Sequence, residues 1–208
     1  MKRFKNSLVL GKFLPPHKGH LYLIDSAVAQ SENVYVLCCS LEREPIPGVL
    51  RAKWLTQIYS ESPNVKIIHV TDENPQSPEE DPDNFWDIWY KTVYSNVDKL
   101  DAIFTSEDYG YPFAKSLGIE HVLVDKDRVS YPVSGTAVRA DAFANWNLIP
   151  DNVKEYFIKS VCLIGPESTG KTTLAQKLSK EFDTIWIPEY GREYCDKYGI
   201  NCDANDLS

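Results

Sequence analysis

The sequence predicts an α/β protein, in which a parallel sheet is followed by the start of a second domain. Short apolar runs alternate with helix-like stretches five times before residue 130, as in parallel strands that are joined by helices. The strand-then-helix order restarts after residue 158, around a glycine-rich loop. A chain of 208 residues can hold one ordinary domain and part of another. We therefore divide it into residues 1–157 and 158–208.

The amino-acid composition is that of a soluble globular protein and argues against several classes of partner. Hydrophobic residues make up 43% of the chain and charged residues 25%, which is typical of a soluble globular protein. The net charge of −8 argues against nucleic-acid and anionic-membrane partners, so that any phosphate site must be local. No run approaches about 18 apolar residues, and no signal peptide is recognisable. Five cysteines without a framework spacing indicate reduced thiols and a cytoplasmic location.

The first element is a predicted strand, turn and helix start within LVLGKFLPPHKGHLYL. The first amides of a helix lack internal partners, and the helix dipole favours an anion there. Gly19 would let the backbone approach a phosphate, while His17 and His20 can donate hydrogen bonds to it. A lone histidine near a turn is usually structural. Two of the chain's four histidines around one glycine favour a phosphate site instead.

Four more strands and the helices between them follow in order. The strands are predicted at Val34–Ser40, Val65–Val70, Ala102–Ser106 and His121–Asp125, and helices near Leu50–Tyr59, in NFWDIWYKTVYSNV and near Pro112–Leu117. The acidic, proline-rich segment Asp72–Asp83 should be a loop. Ligands of such sheets bind at the carboxyl ends of the strands. His17, Ser106 and Asp127 all follow strand ends, so one crevice should hold them together.

Two side chains in this part allow alternative interpretations. Arg51, near the start of a helix, could reach a phosphate or could simply be solvated on the surface. The spacing of Trp86 and Trp89 is typical of core packing. A tryptophan at the start of a helix, after a polar loop, could instead offer a flat stacking surface to a planar ring.

The segment VSGTAVR predicts a second anion site. Ser134, Gly135 and Thr136 fit a helix N-cap and first turn with free amides, and Arg139 can reach back to the same anion from one turn further on. Alone, this segment could be an ordinary capped helix with a surface arginine. Together with HKGH it favours a phosphate site.

The second segment carries a P-loop pattern. Gly165, Gly170, Lys171 and Thr172 fit G-x-x-x-x-G-K-[ST], followed by Thr173, and the motif lies between the predicted strand SVCLIG and an amphipathic helix. Amides would cradle phosphates, lysine would neutralise them and threonine would help to hold Mg²⁺.

The rest of the second segment is short. TIWIPEYGREY predicts another strand that runs into a helix. Fewer than fifty residues follow Lys159, too few to close a P-loop fold. We therefore expect either a fragment of a longer protein or a decayed second domain, and no complete second active site.

These residues carry a family resemblance. GKFLPPHKGH with VSGTAVR resembles the HxGH/SGTxxR nucleotidyltransferase superfamily. NFWDIWY, FTSEDYG, VDKDR, FANWNLIP and GPESTGKTT resemble, more closely, the NadR-like bifunctional nicotinamide-nucleotide adenylyltransferase/ribosylnicotinamide kinase family. The resemblance covers nearly the whole chain. It departs from the family at the start, where no helix-turn-helix domain is expected, and in the shortened kinase half.

The resemblance implies a Rossmann-like adenylyltransferase domain and the start of a P-loop kinase domain. The first would transfer AMP from ATP to nicotinamide mononucleotide (NMN), giving NAD and pyrophosphate. Mg²⁺ would be held mainly by ATP phosphates, since no residue cluster resembles a metal cage. In the full-length form, the second domain would phosphorylate nicotinamide riboside.

The resemblance also assigns site residues. The catalytic residues would be His17, His20 and Arg139. ATP would be bound by Gly11, Lys12, Phe13, Gly19, Ser106, Ser134, Gly135 and Thr136, with Glu107 close by. NMN would be bound by Asn84, Trp86 and Arg51, which favours the stacking interpretation of Trp86.

The sequence leaves three alternative functions open. The acceptor could be phosphopantetheine or another phosphorylated molecule, because HxGH recognises phosphate alone. The chain could be a piece of a ribosylnicotinamide kinase, or it could be a nucleotide sensor without turnover. A homo-oligomer, the preferred metal, and the choice between NMN and its nicotinic-acid analogue are also open.

Overall fold

The computed structural model describes residues 2–166, residues 168–188 and Lys197. The chain divides into two compact units, Met1–Ile158 and Lys159–Ser208. The first unit holds a five-stranded, wholly parallel sheet in the order β3-β2-β1-β4-β5. The predicted α/β fold class is therefore confirmed.

Strands and helices alternate along the first unit. The strands are β1 Phe4–Gly11, β2 Ser31–Cys39, β3 Val65–Val70, β4 Ala102–Thr105 and β5 Glu120–Leu123. The helices are α1 Lys18–Gln30, α2 Gly48–Ile58, α3 Phe85–Asn96, α4 Gly110–Leu117, α5 Gly135–Ala140 and α6 Asp151–Lys154, with 3₁₀ turns at Trp146–Leu148 and Glu155–Phe157. The acidic segment after β3 is a loop, as predicted.

The order of the strands places the ligand crevice at the end of β1. The chain passes from β1 outward through β2 to β3, and then returns to β4 on the other side of β1. The carboxyl end of the central strand is therefore the point where the strand order reverses. Open α/β sheets bind ligands at such a point.

Helices cover both faces of the sheet. Leu8 and Val9 are fully buried neighbours on β1 and belong to opposite core clusters, because successive side chains of a strand point to opposite faces. Val9 packs in the cluster of α1 and α2, and Leu8 in that of α3 and α4. Every residue of β4 is buried, as expected for a strand in a sheet that is covered on both sides.

A third apolar cluster holds α5 against the rest of the unit. Val138 of α5 is fully buried and packs with Trp54 of α2, Val153 of α6 and Ile149. This packing explains how α5, which follows the last strand, is brought back to the end of the sheet.

The second unit differs from its prediction. Its described helix is α7, Lys171–Glu181. The predicted strands at 160–165 and 184–188 are wrong, because the structure assigns no strand to either stretch. Val161 and Ile164 are 83% and 88% exposed, and Ile185 and Ile187 are both 83% exposed. A parallel strand needs a hydrogen-bonded neighbour and covered faces, and these stretches have neither within the described residues.

The helix predicted in EYGREY lies outside the described residues. None of the helices in 2–166 or 168–188 is long and apolar enough to cross a membrane.

Candidate active site

A cavity of about 580 Å³ opens at the carboxyl ends of the strands. Its volume is in the range of pockets that hold small ligands. It is lined by residues from both predicted phosphate sites and by aromatic side chains of α3 and α4. The expected site residues that line it are Gly11, Lys12, Phe13, His17, Gly19, His20, Trp86, Ser106, Glu107, Ser134, Gly135, Thr136 and Arg139.

The two histidines form a stacked pair at the start of α1. Their ring centroids lie 3.6 Å apart, with planes inclined by 16°. His17 is the N-cap of α1, and its Nδ1 accepts a hydrogen bond from the backbone N–H of His20 at 3.3 Å. A neutral His17 therefore carries its proton on Nε2. A Cβ atom on Gly19 would lie 3.2 Å from the His17 ring, so the glycine leaves room for the pair.

Burial keeps both imidazoles neutral. It lowers the pKa of His17 to about 4, with a further contribution from the positive charge of Arg128. The pKa of His20 is well below its usual value, first through burial and then through His17 and Arg128. The Nδ1 atom of His20 is buried without a hydrogen-bond partner in the described protein. At neutral pH the pair therefore offers N–H donors, and the positive charge of the cavity comes from lysine and arginine.

The segment VSGTAVR packs directly on the segment GKFLPPHKGH. Ser134 is the N-cap of α5, and its Oγ accepts a hydrogen bond from the Ala137 N–H at 3.1 Å. A Cβ atom on Gly135 would lie only 2.5 Å from the carbonyl oxygen of Leu14, so a residue without a side chain lets α5 begin against the histidine loop. Arg139 donates one hydrogen bond to that same carbonyl and another, of 3.3 Å, to Thr136 Oγ1. Its guanidinium is thus held between the two segments.

The position of Arg51 differs from both interpretations of its place in the sequence. Its side chain is fully buried and does not line the cavity. It donates hydrogen bonds to the carbonyl oxygens of Lys12 at 2.5 Å and Cys39 at 3.4 Å, and it forms an ion pair of 2.6 Å with Glu44. The structure therefore brings Arg51 neither to the cavity as a phosphate ligand nor to the surface as a solvated residue, the two interpretations that its place on a helix had left open.

Glu44 connects this buried arginine to the cavity. Its other carboxylate oxygen lies 2.9 Å from Nζ of Lys12, which is half-exposed and lines the cavity. Burial raises the pKa of Glu44, but hydrogen bonds from Lys12, from the backbone of Leu41 and from Arg51 outweigh this effect and lower it. The carboxylate therefore stays ionised, and its ion pair with Nζ orients the Lys12 side chain at the cavity.

Of the two other residues that were expected to contact NMN, one lies away from the cavity and one lines it. Asn84 is exposed, lies outside the cavity lining and donates its side-chain hydrogen bond to Asp81 at 3.1 Å, so the structure does not bring it to the site. Trp86 lines the cavity and also packs in the apolar core, with its ring 5.9 Å from that of Phe113 in a stacked arrangement. Trp89 lines the cavity as well, and its Nε1 donates to the Pro75 carbonyl at 3.0 Å. Trp86 therefore packs in the core and also lines the cavity.

Sequence reasoning missed Asp125 and Arg128. Both line the cavity, whereas Asp127, which was expected there, does not. Asp125 and Arg128 adopt left-handed backbone conformations, with φ of 48° and 53°. The Asp125 carboxylate accepts hydrogen bonds from the N–H groups of Val129 and Ser130, and the turn so formed places Arg128 at the cavity, 3.7 Å from a Glu107 oxygen. The polar run DKDR after β5 is the sequence feature that could have indicated these two cavity residues.

The P-loop residues lie in the second unit. Gly170 has φ of 85° and precedes Lys171, the first residue of α7, with Thr172 and Thr173 in its first turn. Nζ of Lys171 donates hydrogen bonds of 2.8 Å to the carbonyl oxygens of Gly165 and Pro166. The lysine thus folds back over the loop. Within 2–166 and 168–188, no group of three or more His, Cys, Asp or Glu side chains could hold a metal ion.

The sequence has curated relatives. Over 206 residues it is 34% identical to the trifunctional NAD biosynthesis/regulator protein NadR of Escherichia coli (strain K12), covering 90% of this chain and 49% of that protein. The chain is similar to NadR. The NadR of Salmonella typhimurium is 33% identical over 212 residues, with 93% of this chain and 50% of that protein covered. The chain thus spans about half the length of these relatives. Residues 160–207 match the family model of an AAA domain.

Solved structures share the fold. A NadR protein in complex with NAD and AMP-PNP superposes with a TM-score of 0.72 at 22% identity, covering 100% of this chain and 61% of that one. A NadR protein in complex with NR gives 0.71 at 24% identity, covering 98% and 59%. A bifunctional NMN adenylyltransferase/ADP ribose pyrophosphatase from Francisella tularensis gives 0.53 at 19% identity, covering 85% and 50%. At these identities the likeness concerns the fold.

Proposed function

We propose that the first unit is a nicotinamide-nucleotide adenylyltransferase, which converts ATP and NMN to NAD and pyrophosphate. The observation that carries the proposal is the meeting of two phosphate-binding segments in one cavity. The carbonyl of Leu14 joins them, because it lies against Gly135 and accepts a hydrogen bond from Arg139. The similarity to NadR proteins, named for NAD biosynthesis, supports the same assignment.

The chemistry fits groups that bind and orient. The NMN phosphate is already an anionic nucleophile, so no general base is needed. One of its oxygens attacks the α-phosphorus of ATP in line, the bond to the β-phosphate oxygen breaks, and pyrophosphate leaves. The N–H donors of His17 and His20 would stabilise the charge that grows on the α-phosphate, and Arg139 would hold the departing phosphates.

The rest of the cavity suits two nucleotides. Ser134, Thr136 and the free amides of α5 would bind the β- and γ-phosphates with Lys12, while Ser106 lies on the same rim. Trp86 would stack on the nicotinamide ring. Mg²⁺ would travel with the ATP phosphates, since the described residues offer no cage for it. The buried free thiols of Cys38 and Cys39 fit a cytoplasmic enzyme.

The proposed function is tested by identifying the products that the chain forms. Purified chain that is supplied with MgATP and NMN should form NAD and pyrophosphate in equal amounts. The same incubation with phosphopantetheine should release no pyrophosphate. Pyrophosphate release with phosphopantetheine alone would move the activity to another acceptor, and ATP binding without any turnover would support a sensor.

A second function, phosphorylation of nicotinamide riboside, is favoured by the P-loop of the second unit. The AAA-domain match and the P-loop pattern at the start of α7 support ATP binding there. In the full-length form, a kinase would convert MgATP and nicotinamide riboside to NMN and ADP, and Lys171→Ala would abolish this reaction. Because Lys171 lies outside the first unit, the same variant should leave NAD formation from NMN unchanged.

A further inference from the structure

The two histidines outside the catalytic pair occupy matching positions on either side of β1. His121 of β5 lies with its Nε2 2.8 Å from Oγ1 of Thr105, at the end of β4. His69 of β3 lies with its Nε2 2.8 Å from Oγ of Ser40, which follows the end of β2. On each side an imidazole of an outer strand thus meets a buried hydroxyl of an inner strand, next to the cavity.

The hydrogens in the Thr105 arrangement can be assigned. The Thr105 hydroxyl donates to the carbonyl oxygen of Glu107 at 3.2 Å. A hydroxyl has one hydrogen, and a carbonyl oxygen can only accept. With that hydrogen on the carbonyl, the 2.8 Å hydrogen bond to His121 is donated by its Nε2–H. This arrangement requires the Nε2–H tautomer and gives a relay from imidazole to hydroxyl to carbonyl. Burial lowers the pKa of His121, which favours the neutral ring.

The Ser40 arrangement has the same form. Its hydroxyl lies 3.4 Å from the carbonyl oxygen of Val70 and 2.8 Å from Nε2 of His69. With the hydroxyl hydrogen on that carbonyl, the Nε2–H tautomer of His69 is the donor, as in the first relay. Val70 is the last residue of β3, and the loop that leaves it contributes Asp72 and Asn74 to the cavity lining. Burial and the charge of Arg51 lower the pKa of His69.

A helix-start glycine packs against each relay. A Cβ atom on Gly110, at the start of α4, would lie 2.1 Å from Thr105 Oγ1 and 2.3 Å from His121 Nε2. A Cβ atom on Gly48, at the start of α2, would lie 2.2 Å from Ser40 Oγ and 2.4 Å from His69 Nε2. Both helices therefore approach the relays with backbone alone, because a side chain at either glycine would collide with the hydroxyl and the imidazole.

We infer that His121 and Thr105 are positioning residues for the ATP side of the cavity, and that His69 is a positioning residue for its acceptor side, where it orients Ser40, which itself lines the cavity. The first relay fixes the Ser106–Glu107 turn, whose residues line the cavity. The second fixes the point from which the loop of Asp72 and Asn74 departs. Asn74 donates a hydrogen bond of 2.8 Å to Thr92 on α3, the helix that carries Trp86, and this places the loop on the acceptor side. Neither imidazole needs to touch a substrate. This inference rests on the proposed function for the naming of the two sides.

Matched variants separate the two relays. Thr105→Val keeps the shape of the side chain but leaves His121 Nε2 unpaired. It also removes one of the two hydrogen bonds to the Glu107 carbonyl, which keeps that from the Gly110 N–H at 3.2 Å. We expect it to weaken MgATP binding about tenfold, measured by calorimetry without acceptor, with the KM for NMN and kcat within about twofold. Thr105→Ser retains the hydroxyl and should bind MgATP like the unmodified chain. Ser40→Ala should raise the KM for NMN about tenfold and spare MgATP binding.

A control variant removes a buried hydroxyl elsewhere. Ser7 and Ser31 share a buried hydrogen bond of 2.6 Å, and neither lines the cavity. Ser7→Ala should lower thermal stability without changing MgATP binding or the KM for NMN. Equal MgATP affinity in Thr105→Val and the unmodified chain, or equally weak binding in Thr105→Ser and Thr105→Val, would overturn the inference.

The unmodified protein provides an independent test. Nitrogen-15 NMR should show His121 and His69 as neutral Nε2–H tautomers at neutral pH. An Nδ1–H tautomer at either ring would refute its relay, even if the valine variant failed to fold. If no NAD forms but MgATP affinity still depends on Thr105, the proposed function fails while the first relay stands.

Discussion

The buried imidazole of His17 predicts a defined loss of stability in acid. Its pKa is about 4 in the folded protein, whereas that of an unperturbed histidine is 6.5. Between these values the unfolded chain binds more protons, so the free energy of unfolding must fall as pH falls from 6.5 towards 4. The difference corresponds to roughly 3 kcal/mol in full, and to roughly 2 kcal/mol at pH 5.

A single substitution isolates this contribution. His17→Asn retains a side-chain acceptor at the N-cap of α1 and removes the titrating ring. Denaturant unfolding should therefore show a flatter decline of stability between pH 7 and pH 5 for the variant, by roughly 2 kcal/mol. Proton NMR of the unmodified chain should show His17 titrating near pH 4. Identical pH slopes for the two proteins, or titration of His17 near 6.5, would refute the reasoning.

Three further predictions concern catalysis and the core. His20→Ala should lower kcat by roughly 10²-fold or more while changing MgATP affinity little, and equal losses in both would contradict a transition-state role. Trp86→Ala should raise the KM for NMN and spare that for ATP, whereas an unchanged KM for NMN would leave Trp86 as core. Arg51→Met should destabilise the chain by about 3–5 kcal/mol in denaturant unfolding, because it leaves Glu44 buried without its arginine, and a loss below about 1 kcal/mol would contradict the buried pair.

Local patterns were enough to predict much of the fold and part of the cavity. The cap and first turn of α1 and of α5 are set by neighbouring residues, so His17, His20 and Ser134 could be placed at helix starts from the sequence. Their meeting depends on the fit of Gly135 against Leu14, residues that are far apart in the chain. The sequence contains no local signal of that contact.

The errors have the same physical origin. Arg51 looks like a surface residue on its helix, but it is buried, where it pairs with Glu44 and donates a hydrogen bond to the carbonyl of Lys12. The apolar stretch at 160–165 looks like a strand, but a strand exists only where a neighbour accepts its hydrogen bonds. In both errors, contacts with residues distant in the chain determine the structure. The sequence pattern indicates only the local preference.

The most direct test of the central claim follows the fate of the α-phosphate. With ATP labelled at the α-phosphorus and unlabelled NMN, the account predicts that the label appears in NAD, and that His17→Asn and His20→Ala each abolish most of this transfer. Label that stays in ADP or ATP, while NMN is not consumed, would contradict adenylyl transfer by the first unit.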